Sequence, residues 1–300
     1  GEEFDFDVFR LNVNASYKKF DLAVDYRFYP ASSGSGMLRE GWIGYSFNKS
    51  HRLQMGLTTV PFGILPYTGN NYFFNLSYYA GLEDDADMGI KYLFHKDRWE
   101  LSFAYFQNAD LSGTGGDSEL SASRYAYDIA GRDKEAHQGN IRVVYHFGNL
   151  WRHQLGGSVL MGGLYNMDTR KTGLRTAFAL HYVADYRRWN LKMQYTNYNL
   201  RPVRAPGEDR SVVTMAAYGS SYRIASRADI YTVSLSYRIP VNRLCLDDIF
   251  LYNDFSLLNK RAAGFNDSLE NVTGCSLTMG KVFSYIDYAV GRNHAWLGDV

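Results

Sequence analysis

Four carboxylates stand nearly side by side at Glu83, Asp84, Asp85 and Asp87, just after an aromatic stretch that holds Tyr72, Phe73, Phe74, Tyr78 and Tyr79. Acids at that density could bind Ca2+, which takes about six to eight oxygen ligands, could tie their segment to arginines elsewhere, or could give a passage a cation-attracting rim. The spacing is not that of an EF-hand, since the sixth position is not Gly and the twelfth is not Glu. Ca2+ therefore stays as one reading beside ion pairing, and no other cofactor is indicated.

Covalent chemistry has no comparable constellation. His137, His146 and His153 are the nearest trio of histidines, without the HExxH spacing of a metal-dependent hydrolase, and no GxSxG elbow presents a serine. An enzyme is not expected. A second charged group, Arg201, Arg204, Arg210, Arg223 and Arg227, lies on or beside 201–228 and could draw anions or bridge to the phosphates of a neighbouring layer. Arg124-Tyr125-Ala126-Tyr127-Asp128 reads as a folded loop or a contact near a passage. With 32 basic and 31 acidic residues the formal net charge is +1, which points to no nucleic-acid partner.

What must position these groups is strand. Trp189, Leu191, Met193 and Tyr195 alternate with Asn190, Lys192, Gln194 and Thr196, and Trp99, Leu101, Phe103 and Tyr105 alternate with Arg98, Glu100, Ser102 and Ala104. The pattern recurs over 4–17, 19–29, 39–48, 51–60, 87–95, 97–107, 137–147, 151–165, 173–186, 188–200, 229–238, 246–258, 272–280 and 282–291, which predicts fourteen strands. No stretch approaches the roughly 20 apolar residues of a membrane helix, whereas a transmembrane strand needs only about 9 to 11 alternating ones. A soluble barrel with its apolar face inward would leave a ring of this many strands too wide to fill with side chains. The polar face is therefore expected inside. The 25 Tyr, 18 Phe and 5 Trp favour strands, and tyrosine suits a membrane–water interface.

Connections alternate in length. Tight turns are predicted at Lys18-Lys19, Lys49-Ser50, Lys96-Asp97, Gly148-Asn149 and Arg187-Arg188, and longer loops at 30–38, 61–86, 108–136, 166–172 and 201–228. Parity of long and short connections puts both visible ends on the long-loop side, so the expectation is one domain over 1–300 with a first and a last strand missing, sixteen strands in the intact protein. Cys245 and Cys275 fall at different heights of their hairpin and are not expected to pair. The inward face should carry Arg10, Arg27, Lys91, Arg142, Arg175, Lys192 and Arg238, with Asp25, Glu40, Glu100, Asp185 and Asp254 as acidic counterparts.

Arg10-Leu11, then Leu38-Arg39-Glu40-Gly41-Trp42-Ile43-Gly44-Tyr45, Leu53-Gln54-Met55-Gly56 and Val60-Pro61-Phe62-Gly63 resemble the phosphate-selective porin O and P superfamily, best over the first third of the chain. Gly81-Leu82-Glu83-Asp84-Asp85-Ala86-Asp87-Met88-Gly89 and Tyr222-Arg223-Ile224-Ala225-Ser226 look like a less characterised branch of it. The resemblance implies a sixteen-stranded, typically trimeric barrel in the outer membrane of a Gram-negative bacterium, its third outer loop, here 61–86, folded inward as a constriction. Loop 61–86 has no Arg or Lys, so the basic cluster of phosphate-selective members is not carried over. The expected function is a passive diffusion channel for small polar or anionic solutes, with lipid and lipopolysaccharide around it. The alternative is a plugged barrel that scaffolds a partner.

Overall fold

Alternating segments rich in aromatic and β-branched residues satisfy their backbone groups only by pairing with one another, and here they do so in chain order. The computed structural model describes residues 7–109, 124–243, 245–262 and 264–297. Its strands are β1 (Phe9–Tyr17), β2 (Phe20–Phe28), β3 (Gly36–Ser46), β4 (His51–Thr59), β5 (Ala86–Lys96), β6 (Trp99–Asn108), β7 (Asp128–Ile129), β8 (Asp133–Phe147), β9 (Trp151–Asn166), β10 (Lys171–Tyr186), β11 (Trp189–Arg201), β12 (Val212–Ala217), β13 (Ser220–Ala225), β14 (Arg227–Arg243), β15 (Leu246–Lys260), β16 (Ser268–Met279) and β17 (Val282–Arg292). Fourteen of them form one sheet of antiparallel neighbours; β13, β12 and β7 form a separate three-stranded sheet.

All fourteen predicted strands are present in the large sheet, with β3, β8, β10, β14 and β16 starting a few residues early and β1 starting later, at Phe9. Tight hairpins fix their register: Tyr17 faces Phe20, Lys96 faces Trp99 and Tyr186 faces Trp189. The turn expected at Lys96-Asp97 sits one residue later, with Asp97 at φ 55°. Cys245 and Cys275 are free.

Polarity is inverted relative to a water-soluble fold. Ile43, Met55, Val159, Leu180 and Ile286 point outward and are each more than half exposed, whereas Ser102, Asn140, Ser158, Thr196, Ser234 and Ser256 point inward and are buried. A continuous apolar exterior of this extent needs an apolar solvent, and a bilayer supplies one. At the short-turn end the exterior changes to paired rings, Trp99 with Tyr145, Trp151 with Tyr186 and Trp189 with Tyr237, their centroids 4.3–4.6 Å apart. That is the girdle that aromatic side chains form at a membrane interface.

The long loops expected at 108–136 and 201–228 carry strands of their own where described; residues 110–123 lie outside the described residues, as do residues 4–6 of the first predicted strand. Strand β12 pairs with β13 and with β7, placing Val213, Met215, Ala217 and Ile129 in a hydrophobic cluster with Leu76, Tyr78 and Leu82 of the 60–85 loop and Leu160 and Ile230 of the wall. This cluster occupies the long-loop half of the sheet's polar side. Among the described residues, edge strands β1 and β17 do not pair with each other. The 60–85 loop links them: the Tyr72 hydroxyl donates to Asp7 at 3.3 Å and its backbone N–H to Asp287 at 3.1 Å.

Candidate functional site

The connection between β4 and β5 turns inward and crosses from one side of the sheet to the other. Its two ends are joined by the Val60 N–H, which donates to the Asp85 carbonyl at 2.9 Å. From there the chain is handed along the wall by polar side chains. Ser158 Oγ accepts from Gly63 N–H at 3.0 Å, Arg142 Nε donates to Gly63 O at 2.8 Å, and Gln194 Oε1 accepts from Ile64 N–H at 2.8 Å. Lys192 Nζ donates to Tyr67 O at 3.2 Å and to Asn70 Oδ1 at 3.1 Å. The tip is held by Asp254, whose carboxylate accepts from Asn70 N–H at 2.6 Å, Asn71 N–H at 3.0 Å and Asn71 Nδ2 at 2.7 Å, and is braced by the Ser234 hydroxyl.

A single helical turn, α1 (Leu76–Tyr79), follows. Asn75 caps it by accepting from Ser77 N–H at 2.7 Å, and the Leu76 N–H donates to Ser256 on the wall. The return path explains the Gly81-to-Gly89 stretch. Gly81 has φ +68°, and a Cβ there would lie 2.5 Å from the Tyr127 carbonyl oxygen. At Gly89 a Cβ would lie 2.1 Å from the Tyr105 carbonyl oxygen, so neither position admits a side chain.

The four carboxylates do not form one cluster. Glu83 is buried and accepts from Asn75 Nδ2 at 2.8 Å and from the Thr68 hydroxyl at 2.5 Å, so it ties the two limbs of the loop together. Asp84 accepts from Arg39 Nη2 and from the Tyr125 hydroxyl, both at 2.5 Å, which joins the loop to β3 and to the segment before β7. Asp87 accepts from Gln138 Nε2 at 3.1 Å. Asp85 and Asp87 instead meet Asp128, an oxygen of each lying within 4.8 Å of the others. Arg124 stands 3.3 Å from Asp128 and supplies positive charge there.

The predicted lumen residues divide into two groups. Lys91, Arg142 and Arg175 are buried and spent on backbone: Lys91 Nζ donates to Thr59 O at 2.7 Å, Arg142 to Gly63 O, and Arg175 Nη2 to Gly81 O at 3.1 Å while also pairing with Glu135. Arg10, Arg27, Asp185, Lys192 and Arg238 line an open cavity of about 820 Å3 on the side of the sheet edges and the short turns. Arg10 and Arg27 share Asp25 at 2.7 and 3.1 Å, and Arg238 pairs with Asp248 at 2.9 Å.

The aromatics of the loop pack chiefly onto one another and onto other folded loops. Tyr78 stacks on Phe74 with centroids 4.0 Å apart and meets the Tyr218 hydroxyl at 3.0 Å. Tyr127 and Tyr222 complete the cluster, the Tyr222 hydroxyl donating to the Tyr79 carbonyl. A second cavity of about 680 Å3 opens on the long-loop side of α1. Tyr79 lines both cavities, which share no other residue.

Burial pushes the Glu83 carboxyl up to about 7, against its hydrogen bonds from Asn75 and Thr68 and the field of Lys192. A carboxyl whose folded value is raised favours the seated loop at acid pH, and that preference fades as pH rises from about 4.5 through about 7. The loop should therefore open more often at pH 8 than at pH 5. Glu83→Gln should remove that dependence, and proteolysis of the 60–85 loop that stays identical for both proteins across this range would exclude Glu83 as the titrating latch.

No family model matches this sequence, and no curated protein matches it. Among solved structures the chain is similar to a loop-deleted form of OmpT, an outer-membrane protein of Vibrio cholerae, with 14% identity and a TM-score of 0.54 over 96% of this chain and 86% of that one. It is similar to the trimer form of OmpT, with 14% identity and a TM-score of 0.54 over 95% of this chain and 80% of that one. The outer-membrane channel DcaP of Acinetobacter baumannii, at 10% identity, also aligns with a TM-score of 0.54 over 95% of this chain and 78% of that one. Identities this low carry the architecture alone: the chain has the fold of an outer-membrane β-barrel, with its β4–β5 connection folded inward.

Proposed function

We propose that this protein is an outer-membrane porin, a channel and not an enzyme, through which small hydrophilic solutes diffuse passively, its long loops facing outward from a Gram-negative cell. One observation carries the reading: a loop tied across the polar side of the sheet leaves an open cavity of about 820 Å3 lined by charges of both signs. Four cations, Arg10, Arg27, Lys192 and Arg238, face three carboxylates, Asp7, Asp185 and Asp248, which supports a mild anion preference. Trimeric assembly and a place beside the phosphate-selective porin O and P superfamily belong to the same proposal; phosphate selectivity does not, because the constriction loop carries no cation.

A second reading is a plugged barrel that serves a partner. The hydrophobic cluster between the 60–85 loop and the inner sheet favours it, since that packing fills the long-loop half. Planar-bilayer recording of the purified protein separates the two. Stepwise conductance with a reversal potential displaced modestly toward the anion is expected; a folded protein that inserts and gives no ion steps is the plugged barrel.

A further inference from the structure

We infer that the 680 Å3 cavity on the long-loop side of α1 is a capture site for a small amphipathic organic acid, a ring-sized apolar body with one carboxylate; the inference rests on the channel reading and names a solute class for it. The volume falls within the roughly 300–1,000 Å3 of small-molecule sites. Its lining includes an apolar and aromatic set: Leu76 and Tyr79 of α1, Tyr198 and Leu258 of the sheet, Tyr222 of the inner sheet and Phe265 of the β15–β16 connection. A purely hydrophilic solute such as phosphate has nothing to gain from such a surface.

Two cations stand at this surface. Arg223 and Lys260 both line the cavity, and among the described residues neither side-chain cation makes a hydrogen bond or ion pair. The seven predicted lumen cations described above are each committed to a carboxylate or a carbonyl. Asp209, which also lines the cavity, feels the field of Arg223, and Asp267 that of Lys260, but their hydrogen bonds go elsewhere: Asp209 accepts from the Ser211 N–H at 2.8 Å and hydroxyl at 2.6 Å, and Asp267 accepts from Asn259 Nδ2 and Lys260 N–H at 3.0 Å each. A guanidinium offers a carboxylate two parallel donors and an ammonium adds a point charge, so head and body of one ligand are both met. The His294 imidazole is not a third anchor, because Nδ1 accepts from Trp296 and Leu297 N–H and Nε2 turns to Glu270 at 3.5 Å.

The site also has a floor that matters for passage. Tyr79 is the residue common to this cavity and the 820 Å3 one, so a solute held here rests against the partition it must pass.

Isothermal titration of the purified full-length protein in detergent tests the site without requiring conductance. Benzoate is the probe, benzamide keeps the ring without the charge, and acetate keeps the charge without the ring. Benzoate is expected to bind at least about tenfold more tightly than either. The double variant Arg223→Gln, Lys260→Gln should lose at least about tenfold in benzoate affinity, while Lys49→Gln, which removes a cation from a short turn at the other end of the sheet, should not. Benzamide or acetate binding as well as benzoate, no benzoate binding at millimolar concentration, or a loss seen only with Lys49→Gln overturns the proposal. Heat-resistant migration on a gel shows that the variants are folded, and the probe comparison on the unaltered protein holds if they are not. Benzoate binding in a protein that gives no ion steps would leave the site standing and remove the channel reading instead.

Discussion

Asp254→Ala should unseat the tip of the 60–85 loop and raise single-channel conductance severalfold, with frequent transitions between levels where the unaltered protein gives steady ones. The reason is the concentration of bonds on one side chain. The carboxylate takes two backbone N–H groups and two side-chain amides from Asn70 and Asn71, and Ser234 holds it in place. Truncation leaves those donors buried without an acceptor, at a cost of about 3–5 kcal/mol for breaking a buried charged network from one side. That is about two to nearly four decades in the seating equilibrium. The remaining anchors at Ser158, Gln194 and Arg142 hold the first limb, so the expected defect is a loose tip and not a lost loop. Asp254→Asn keeps an acceptor oxygen and should fall between the two. Conductance and open-channel noise identical in all three proteins would show that the tip is held by packing alone.

The sheet was legible because each of its strands repeats one rule, apolar out and polar in, and because short and long connections alternate. Trp189-Leu191-Met193 against Asn190-Lys192-Gln194 could be read without any tertiary knowledge. The inner sheet escaped for a physical reason: Val213 and Met215 are buried against other loops and Ile224 is partly buried beside them, so their segments are as apolar as wall strands but too short to cross a bilayer. A signal was present, since Val212-Val213-Thr214-Met215 and Tyr222-Arg223-Ile224 flank Tyr218-Gly219, a turn with positive φ at both residues. Inwardness of Arg142 and Arg175 was readable from alternation, but their occupation by Gly63 and Gly81 carbonyls was not. A period of two gives the face and says nothing of which backbone will arrive there. The same limit applied to the acidic run, whose members diverge to Asn75, Arg39 and Gln138 because each peptide of a turning loop aims its side chain differently.

Tyr79→Ala should join the two cavities into one path and increase conductance at least about twofold, without the gating noise expected from Asp254→Ala. The ring is held from several sides: its hydroxyl donates to the Phe73 carbonyl at 2.9 Å, the His294 ring stands edge-on at 4.6 Å and Tyr127 lies tilted at 5.2 Å. Its backbone carbonyl takes the Tyr222 hydroxyl, a bond that alanine retains. Truncation therefore removes the partition and leaves the helical turn anchored, so the two variants are separable by kinetics as well as by size. Tyr79→Phe keeps the ring and loses only the bond to Phe73, and should conduct like the unaltered protein. If Tyr79→Ala conducts no better than Tyr79→Phe, the passage does not run between these cavities, and the route must follow the β1–β17 edge, where Tyr72 reaches Asp7 and Asp287. In that case Tyr72→Ala, and not Tyr79→Ala, would widen the pore, because the narrowest ring alone sets the resistance.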